Sequence, residues 1–404
     1  FWVPALVQQT DKGVSLSMMG LFAAFAVMLF LTWFNTQHLT RVAKANSIVS
    51  IWKIIIPLSI AIGMIIIFGN PSHIVNNHNL PKLAFEPILL AITSSGLAFA
   101  FSGFQNGLII ANSAENPRRA IPLSIIAPVI IGWVMYSALS LMFMFCLPSE
   151  KYSMITGVAP LLGLLSLFGL HYIYVILFVD AIIAPLGTAN VFTTVTGKIL
   201  FGLGREFFPK SLLVKVNKFS APVIALWINM VVGVCFLLPF PTWTELVNFL
   251  SSLVLLSCLS GPLALIILRD KFPELERKFK VPFPRLLGYL GFASCSFFVY
   301  WSGMDNLYHL VWLILLVCVC YWLIFARKNA LLTFVKTWFL FAYILALYAI
   351  SYFHNQHLIS FPEDNYLVFA VSIVFAKIFL MHQAPKEVIA ENIVKLREEL
   401  ARDN

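Results

Sequence analysis

Residues 96–122 read GLAFAFSGFQNGLIIANSAENPRRAIP, a run that starts as an apolar membrane-type segment and does not continue as one. It is interrupted by Ser102-Gly103, by Gln105-Asn106 and by Gly107, and it ends in the charged turn Glu115-Asn116-Pro117-Arg118-Arg119. In lipid, a break of this kind is tolerated only where the freed backbone groups meet protein, water or a ligand. Two readings follow. Glycine in a membrane helix often serves close packing alone, and a helix broken in mid-span is also the sequence pointer to a transporter's binding site.

The surrounding chain makes the membrane reading firm. Hydrophobic residues are 60% of the 404 and charged residues 11%, with a mean hydropathy of +0.89, whereas soluble domains carry about a quarter charged residues. The apolar runs reach the length of about twenty residues needed for a spanning helix, rather than the alternating segments of about ten that make a barrel. The expected fold class is therefore all-α and polytopic. Eleven spans are expected, near 14–34, 48–69, 86–112, 121–147, 171–197, 221–240, 245–268, 286–304, 308–326, 331–353 and 365–382, with Pro57 a site for a kink. The first dozen residues read as the end of an earlier span and a loop. The chain opens on Phe1 with no signal-peptide pattern, so it is expected to begin inside a longer protein.

Charge placement fixes the expected orientation. If the spans alternate and the 35–46 turn, with Arg41 and Lys44, is cytoplasmic, 21 of the 27 Lys and Arg fall inside and only Lys12, Lys82 and Lys151 fall outside. Lys53, Lys336 and Lys377 lie within spans near their cytoplasmic ends, where long side chains can snorkel. One missed helix would scramble this asymmetry. It also accounts for the net charge of +9 without invoking nucleic acid. The C-terminus is expected in the cytoplasm, the protein in the cell (inner) membrane.

FAFSGFQ followed by a short apolar run and ENPRRAIP resembles the sixth transmembrane helix, and the turn after it, of the amino acid–polyamine–organocation (APC) superfamily of permeases. The resemblance implies a LeuT/APC-like inverted-repeat fold. It also implies a substrate site on this unwound helix, with backbone groups of Ser102-Gly103, an aromatic gate from Phe99 or Phe101, and Ala100 and Gln105 beside them. Many members carry an acidic residue where Gln105 stands. Spans 14–34 and 48–69 resemble family helices four and five, so three helices, including the Gly-rich broken first one, would be missing and the first repeat incomplete.

Asp180, in VILFVDAIIAPLGTANVFTTVTGK, is the carboxylate placed in mid-span. An ionised carboxylate there costs several kcal/mol unless solvated or paired, which makes it a functional candidate. Protonation relieves the cost most cheaply, so the group is suited to carrying a coupling proton. The alternative is a neutral Asp bonded to a neighbouring helix. Pro185 removes a backbone donor and frees a carbonyl one turn earlier, near Ala181. The Asp with Ala184-Pro185-Leu186-Gly187-Thr188 resembles the family's eighth helix, which implies a pathway or ion-coupling role for Asp180, Gly187, Thr188 and Asn190, with H⁺ or Na⁺ as the coupling ion and no other cofactor.

SCLSGPLALIILRDKFPELERKFKVPFP (257–284) resembles the family's tenth helix and the basic loop after it, with Gly261-Pro262 a kink; the aromatic gate of many relatives is absent near Cys258. The six cysteines lie in apolar stretches without ligand spacing and are expected to be buried free thiols. His354 and His357, in HNQH, are two ligands without a third and read as solvated loop residues rather than a metal site. No nucleophile–base pattern, phosphate-cradling loop or zinc pattern is visible.

The expected organisation is an APC-type core over 1–326, two additional helices over 327–384, and an amphipathic cytoplasmic tail helix over 385–404. Its stripe is Ile389, Ile393, Leu396 and Leu400. The expected function is secondary active amino acid transport by alternating access, with the bilayer and a small-molecule substrate as partners. The alternatives are polyamine or organic-cation transport, in which Asp180 would hold the cationic group, and, from other classes, a membrane-embedded enzyme or a non-transporting partner subunit.

Overall fold

The computed structural model of the chain describes residues 4–10, 13–37, 39–75, 85–94, 96–106, 117–155, 160–208, 211–237, 243–275, 281–383, 385–391 and 393–394. It is overwhelmingly helical. Eight of its helical stretches are long and apolar enough to cross a bilayer: Met18–Asn35, Val49–Phe68, Arg119–Cys146, His171–Arg205, Glu245–Lys271, Met304–Leu323, Trp338–Asn355 and Glu363–Met381. The helices Val223–Leu237 and Pro284–Tyr300 are shorter. With the broken element after Phe85, a helix stands at each of the eleven expected positions.

In chain order the helices are α1 (Met18–Asn35), α2 (Leu39–Phe68), α3 (Ser72–Val75), α4 (Phe85–Ser94), α5 (Leu97–Ala100), α6 (Pro117–Cys146), α7 (Pro160–Leu167), α8 (His171–Phe207), α9 (Val223–Leu237), α10 (Trp243–Cys258), α11 (Ser260–Lys271), α12 (Pro284–Tyr300), α13 (Met304–Asn355) and α14 (Glu363–Met381). The opening residues differ from expectation. Instead of the end of a span they form a small antiparallel ribbon, β1 (Val7–Thr10) and β2 (Gly13–Leu16), with Val7 opposite Leu16. The β-branched Val7, Thr10 and Val14 suit a strand better than a helix. The basic turn is also shorter than expected: Arg41 and Lys44 belong to α2, and the described turn is Thr36-Gln37.

The chain divides into two compact units. The first comprises Phe1–Lys82, Gly103–Ala111 and Leu123–Trp243; the second comprises Leu83–Ser102, Asn112–Pro122 and Thr244–Asn404. In the first unit α8 is the hub and packs against α1, α2, α7 and α9. One apolar core there joins Ile60, Ala61 and Met64 of α2, Met142 and Cys146 of α6, Leu164 and Leu165 of α7 and Leu177 of α8. Asn217, in the loop after α8, donates its side-chain N–H to the Thr36 carbonyl at 2.8 Å and accepts from the Phe219 and Ala221 amides, which pins that loop to the end of α1.

In the second unit α12 is the hub, against α4, α11, α13 and α14. Its centre is Tyr343, fully buried, whose hydroxyl bonds the Ser296 hydroxyl while its ring packs against Phe292, Phe375 and Phe379. Helix α13 is 52 residues long, which would be about 78 Å if straight. Its ends nevertheless meet. Asn355 Nδ2 lies 3.4 Å from Met304 Sδ, and the rings of Tyr308 and Tyr348 are 6.4 Å apart. The chain therefore folds back within α13, between the spans Met304–Leu323 and Trp338–Asn355, as two expected spans require.

The 245–268 span is interrupted at Leu259, between α10 and α11. Pro262 supplies no N–H for the carbonyl four residues back, at Cys258. All six cysteines are free, but only Cys146 is buried; Cys235 and Cys320 are exposed. The expectation of buried thiols is corrected for a simple reason, since a helix face turned to lipid is apolar without being covered by protein. Large exposed apolar side chains such as Phe22, Ile66 and Leu123 follow the same logic. At the C-terminal end residues 386–391 are helical, and Leu396 and Leu400 of the expected stripe lie outside the described residues.

Candidate functional site

The broken helix is broken twice. Gly96 stands in the left-handed region between α4 and α5, and α5 ends after one turn at Phe101. Residues 101–105 are a turn, in which Gly103 has φ +102°, a conformation that a side chain would strain. Ser102 donates its N–H to the Phe99 carbonyl at 2.9 Å, and Asn106 donates to the Gly103 carbonyl at 3.0 Å. The Gly103 N–H is donated to Gln105 Oε1 at 3.0 Å. Gln105 thus caps the opened backbone for which the family resemblance implies a substrate role, and both amides of the Ser102-Gly103 step are occupied within the turn. Phe99 and Phe101 are half-buried and Ala100 is exposed. Gly107 to Asn116 lie outside the described residues.

Asp180, Gly187, Thr188 and Asn190 are carried by α8, which continues through Pro185. Positions 180, 187 and 188 recur at i, i+7 and i+8 and share a helical face. That face meets α2, which presents Val49, Trp52 and Lys53 at i, i+3 and i+4. Gly187 permits the contact: a Cβ there would lie 2.4 Å from Val49 Cγ1.

Asp180 is 7% exposed. The Trp52 indole is the hydrogen-bond donor to its carboxyl group, and its Oδ1 is buried without a hydrogen-bond partner. A carboxyl oxygen left in that state is costly, and it retains a free lone pair for an incoming proton or cation. About two turns along α8, roughly 12 Å for eight residues, the Thr188 hydroxyl donates to the Ala184 carbonyl at 3.0 Å and lies 3.4 Å from Lys53 Nζ.

Lys53 has a partner that the sequence reading did not assign: it is half-buried, and its Nζ reaches across to Thr188 of α8. The signal was present in IWKIIIPLSIAIGMIIIF, a cation inside an apolar run. Only the packing of α2 on α8 reveals its partner.

Asn190 has a different setting. Asn35 of α1 donates its amide N–H to Asn190 Oδ1 at 2.7 Å and to the Leu31 carbonyl at 2.8 Å, and Thr194 donates to Asn35 Oδ1. Asn35 and Asn190 are both buried, 6% and 5% exposed. Asn190 is thereby part of a polar clasp between α1 and α8, on a different face from the α2 seam. Gly103 and Gln105 fall in the same unit as this helix, while Phe99, Ala100, Phe101 and Ser102 fall in the other.

Residues 5–325 match the profile of a family described as amino acid permeases. The chain belongs to the amino acid permease family. The permease is 27% identical over 389 residues to an aspartate-proton symporter of Bacillus subtilis (strain 168), covering 91% of this chain and 73% of that protein. It is 28% identical over 373 residues to a glutamate/serine transporter, AimA, of the same organism, covering 87% and 68%. A methylthioribose transporter from that organism is 24% identical over 335 residues, covering 82% and 69%. The resemblance to the APC superfamily is thus confirmed: this is an integral membrane protein and a secondary amino acid transporter, not an enzyme.

Proposed function

We propose that the permease couples amino acid uptake to protons rather than to Na⁺, and that the α2–α8 seam carries the coupling. The observation that supports this is the placement of Lys53 Nζ 3.4 Å from the Thr188 hydroxyl. Thr188 is the oxygen ligand that a sodium site on α8 would need, and the protein already sets its own cation against it. Protonated, Lys53 donates to Thr188 and ties α2 to the Pro185-to-Thr188 step. Deprotonated, it is a neutral amine with a weaker hold on α8, and the seam is freer to move. Asp180, with one carboxyl oxygen unpartnered, is the second titrating group in the same seam.

The printed name of one relative, an aspartate-proton symporter, supports the same reading, and with the glutamate/serine transporter it makes aspartate, glutamate and serine the first substrates to try. Substrate is assigned to the Phe99–Gln105 stretch, where a carboxylate that displaced Gln105 Oε1 from the Gly103 amide would find a ready donor. The Lys and Arg asymmetry supports a C-terminus on the cytoplasmic side of a cell membrane.

The experiment uses purified protein in proteoliposomes, with uptake of labelled amino acids and polyamines under an imposed pH or Na⁺ gradient. Wild type is expected to concentrate an amino acid under an inward proton gradient alone. Lys53→Gln is expected to retain exchange and lose gradient-driven accumulation. Accumulation driven by Na⁺, or a Lys53→Gln variant that still responds to the proton gradient, would overturn the assignment.

A further inference from the structure

The basic loop that follows the tenth family-like helix has no part in the coupling seam, and the ends of the two helices that flank it form a cleft of their own. Helix α11 finishes with Arg269 and Lys271 in its last turn, and α12 begins at Pro284 with Arg285 next to it. The two helices pack against one another. Between their ends lies a cleft of ≈ 540 Å³ walled by Arg269, Asp270, Phe283, Arg285 and Leu286, among others.

Among the described residues, two guanidinium groups and one carboxylate wall this cleft, with a net single positive charge. Arg285 donates through Nε to Asp270 Oδ1 at 2.9 Å. That bond uses one of the five N–H groups of its fork and fixes the plane of the others. Guanidinium groups recognise phosphate oxygens in pairs, with better geometry than an ammonium. The α12 N-terminus adds its unpaired amides at the same place, since Phe283 supplies no side-chain cap.

The apolar half of the cleft is equally specific. Phe283 is 74% exposed, and Leu286, Leu287 and Leu290 continue from it at i+3, i+4 and i+7 as exposed residues along α12. Water would not stabilise this stripe, but acyl chains would. The charged end of the cleft sits at the ends of two membrane helices, where headgroups lie, and the stripe runs from there along one of them. Basic pockets between membrane helices at such a depth are the recurring form of anionic headgroup sites.

We infer that Arg269 and Arg285 bind the phosphate of an anionic phospholipid, with its acyl chains along Phe283, Leu286 and Leu290. A monoanionic headgroup such as phosphatidylglycerol balances the net charge of the cleft. A zwitterionic headgroup carries no net charge to do so and adds a bulky ammonium beside the guanidinium groups. Asp270 holds Arg285 in place and offsets one of the two guanidinium charges.

The test is native mass spectrometry of the full permease released from nanodiscs of equal phosphatidylglycerol and phosphatidylcholine. Wild type is expected to retain phosphatidylglycerol at least tenfold over phosphatidylcholine. The double variant Arg269→Gln/Arg285→Gln is expected to lose that preference, and Arg285→Gln alone, an exposed change, to weaken it without disturbing the fold. A charge-matched control, Lys215→Gln/Lys218→Gln, is expected to behave as wild type. Retention unchanged in the arginine variants, or a control that loses it equally, would overturn the site. Displacement of the lipid by free glycerol phosphate at comparable concentration would show a soluble phosphate site and overturn the lipid assignment.

Discussion

Asp180 in the first unit and Asp364 in the second are both carboxylates buried among apolar helices, 7% and 0% exposed, and their surroundings are opposite. Asp364 stands in the first turn of α14, where the helix dipole favours a negative charge. Its Oδ2 accepts from the Tyr300 hydroxyl at 2.7 Å and lies 3.3 Å from His354 Nδ1, and its Oδ1 accepts from the Asn365 amide at 2.8 Å. Trp301 donates to Asn365 at 3.0 Å and its ring meets that of His354. These contacts fasten the ends of α12, α13 and α14 together. Asp180 lies in the middle of a helix, with an indole on one side and a bare oxygen on the other. Burial is therefore common to the two carboxylates; what separates them is that Asp180 keeps an oxygen without a hydrogen-bond partner and Asp364 does not.

The largest effect is expected from Asp180→Asn, which should abolish gradient-driven accumulation in proteoliposomes while exchange persists; Asp364→Asn should leave coupling intact. Loss of coupling in both, or in neither, would break the comparison. On stability the order reverses. Asp364→Leu strands the Tyr300 hydroxyl and should cost about 1–3 kcal/mol, read as a lower melting temperature in detergent. Asp180→Leu removes one unpaired oxygen and strands the Trp52 indole N–H, so the two effects offset and the cost should be smaller than that of Asp364→Leu.

A smaller effect separates the seam from its contents. Gly187→Val forces a branched side chain into the Val49 contact and should destabilise by about 1–3 kcal/mol, without changing ion preference in whatever protein folds. The smallest belongs to the clasp. Asn190→Leu breaks the bond with Asn35, and interhelical hydrogen bonds in membranes average about 0.6 kcal/mol. A loss of coupling in Asn190→Leu that exceeds this modest destabilisation would place the clasp in the transport cycle.

His354 shows where reading by spacing failed. HNQH looks like an exposed pair, and His357 is exposed, but His354 is half-buried against Asp364 and Trp301. The pairing depends on α13 returning beside α14, which no local pattern reports. The ribbon at Val7–Leu16 was missed for a related reason, because four-residue strands carry too little periodicity to be told from a loop.

From the sequence alone come the membrane class, the positions of the spans, the break around Gly103, the kink near Pro262 and the family. Each rests on composition or chemistry within a window of about twenty residues, the length over which transfer into lipid is decided. Tertiary structure alone decided the partners of the polar groups. Lys53 and Thr188 are 135 residues apart, Asn35 and Asn190 155. Helical periodicity says which side chains share a face. It does not say which helix that face will meet, and in a medium without water that neighbour determines whether a buried polar atom is satisfied or left available.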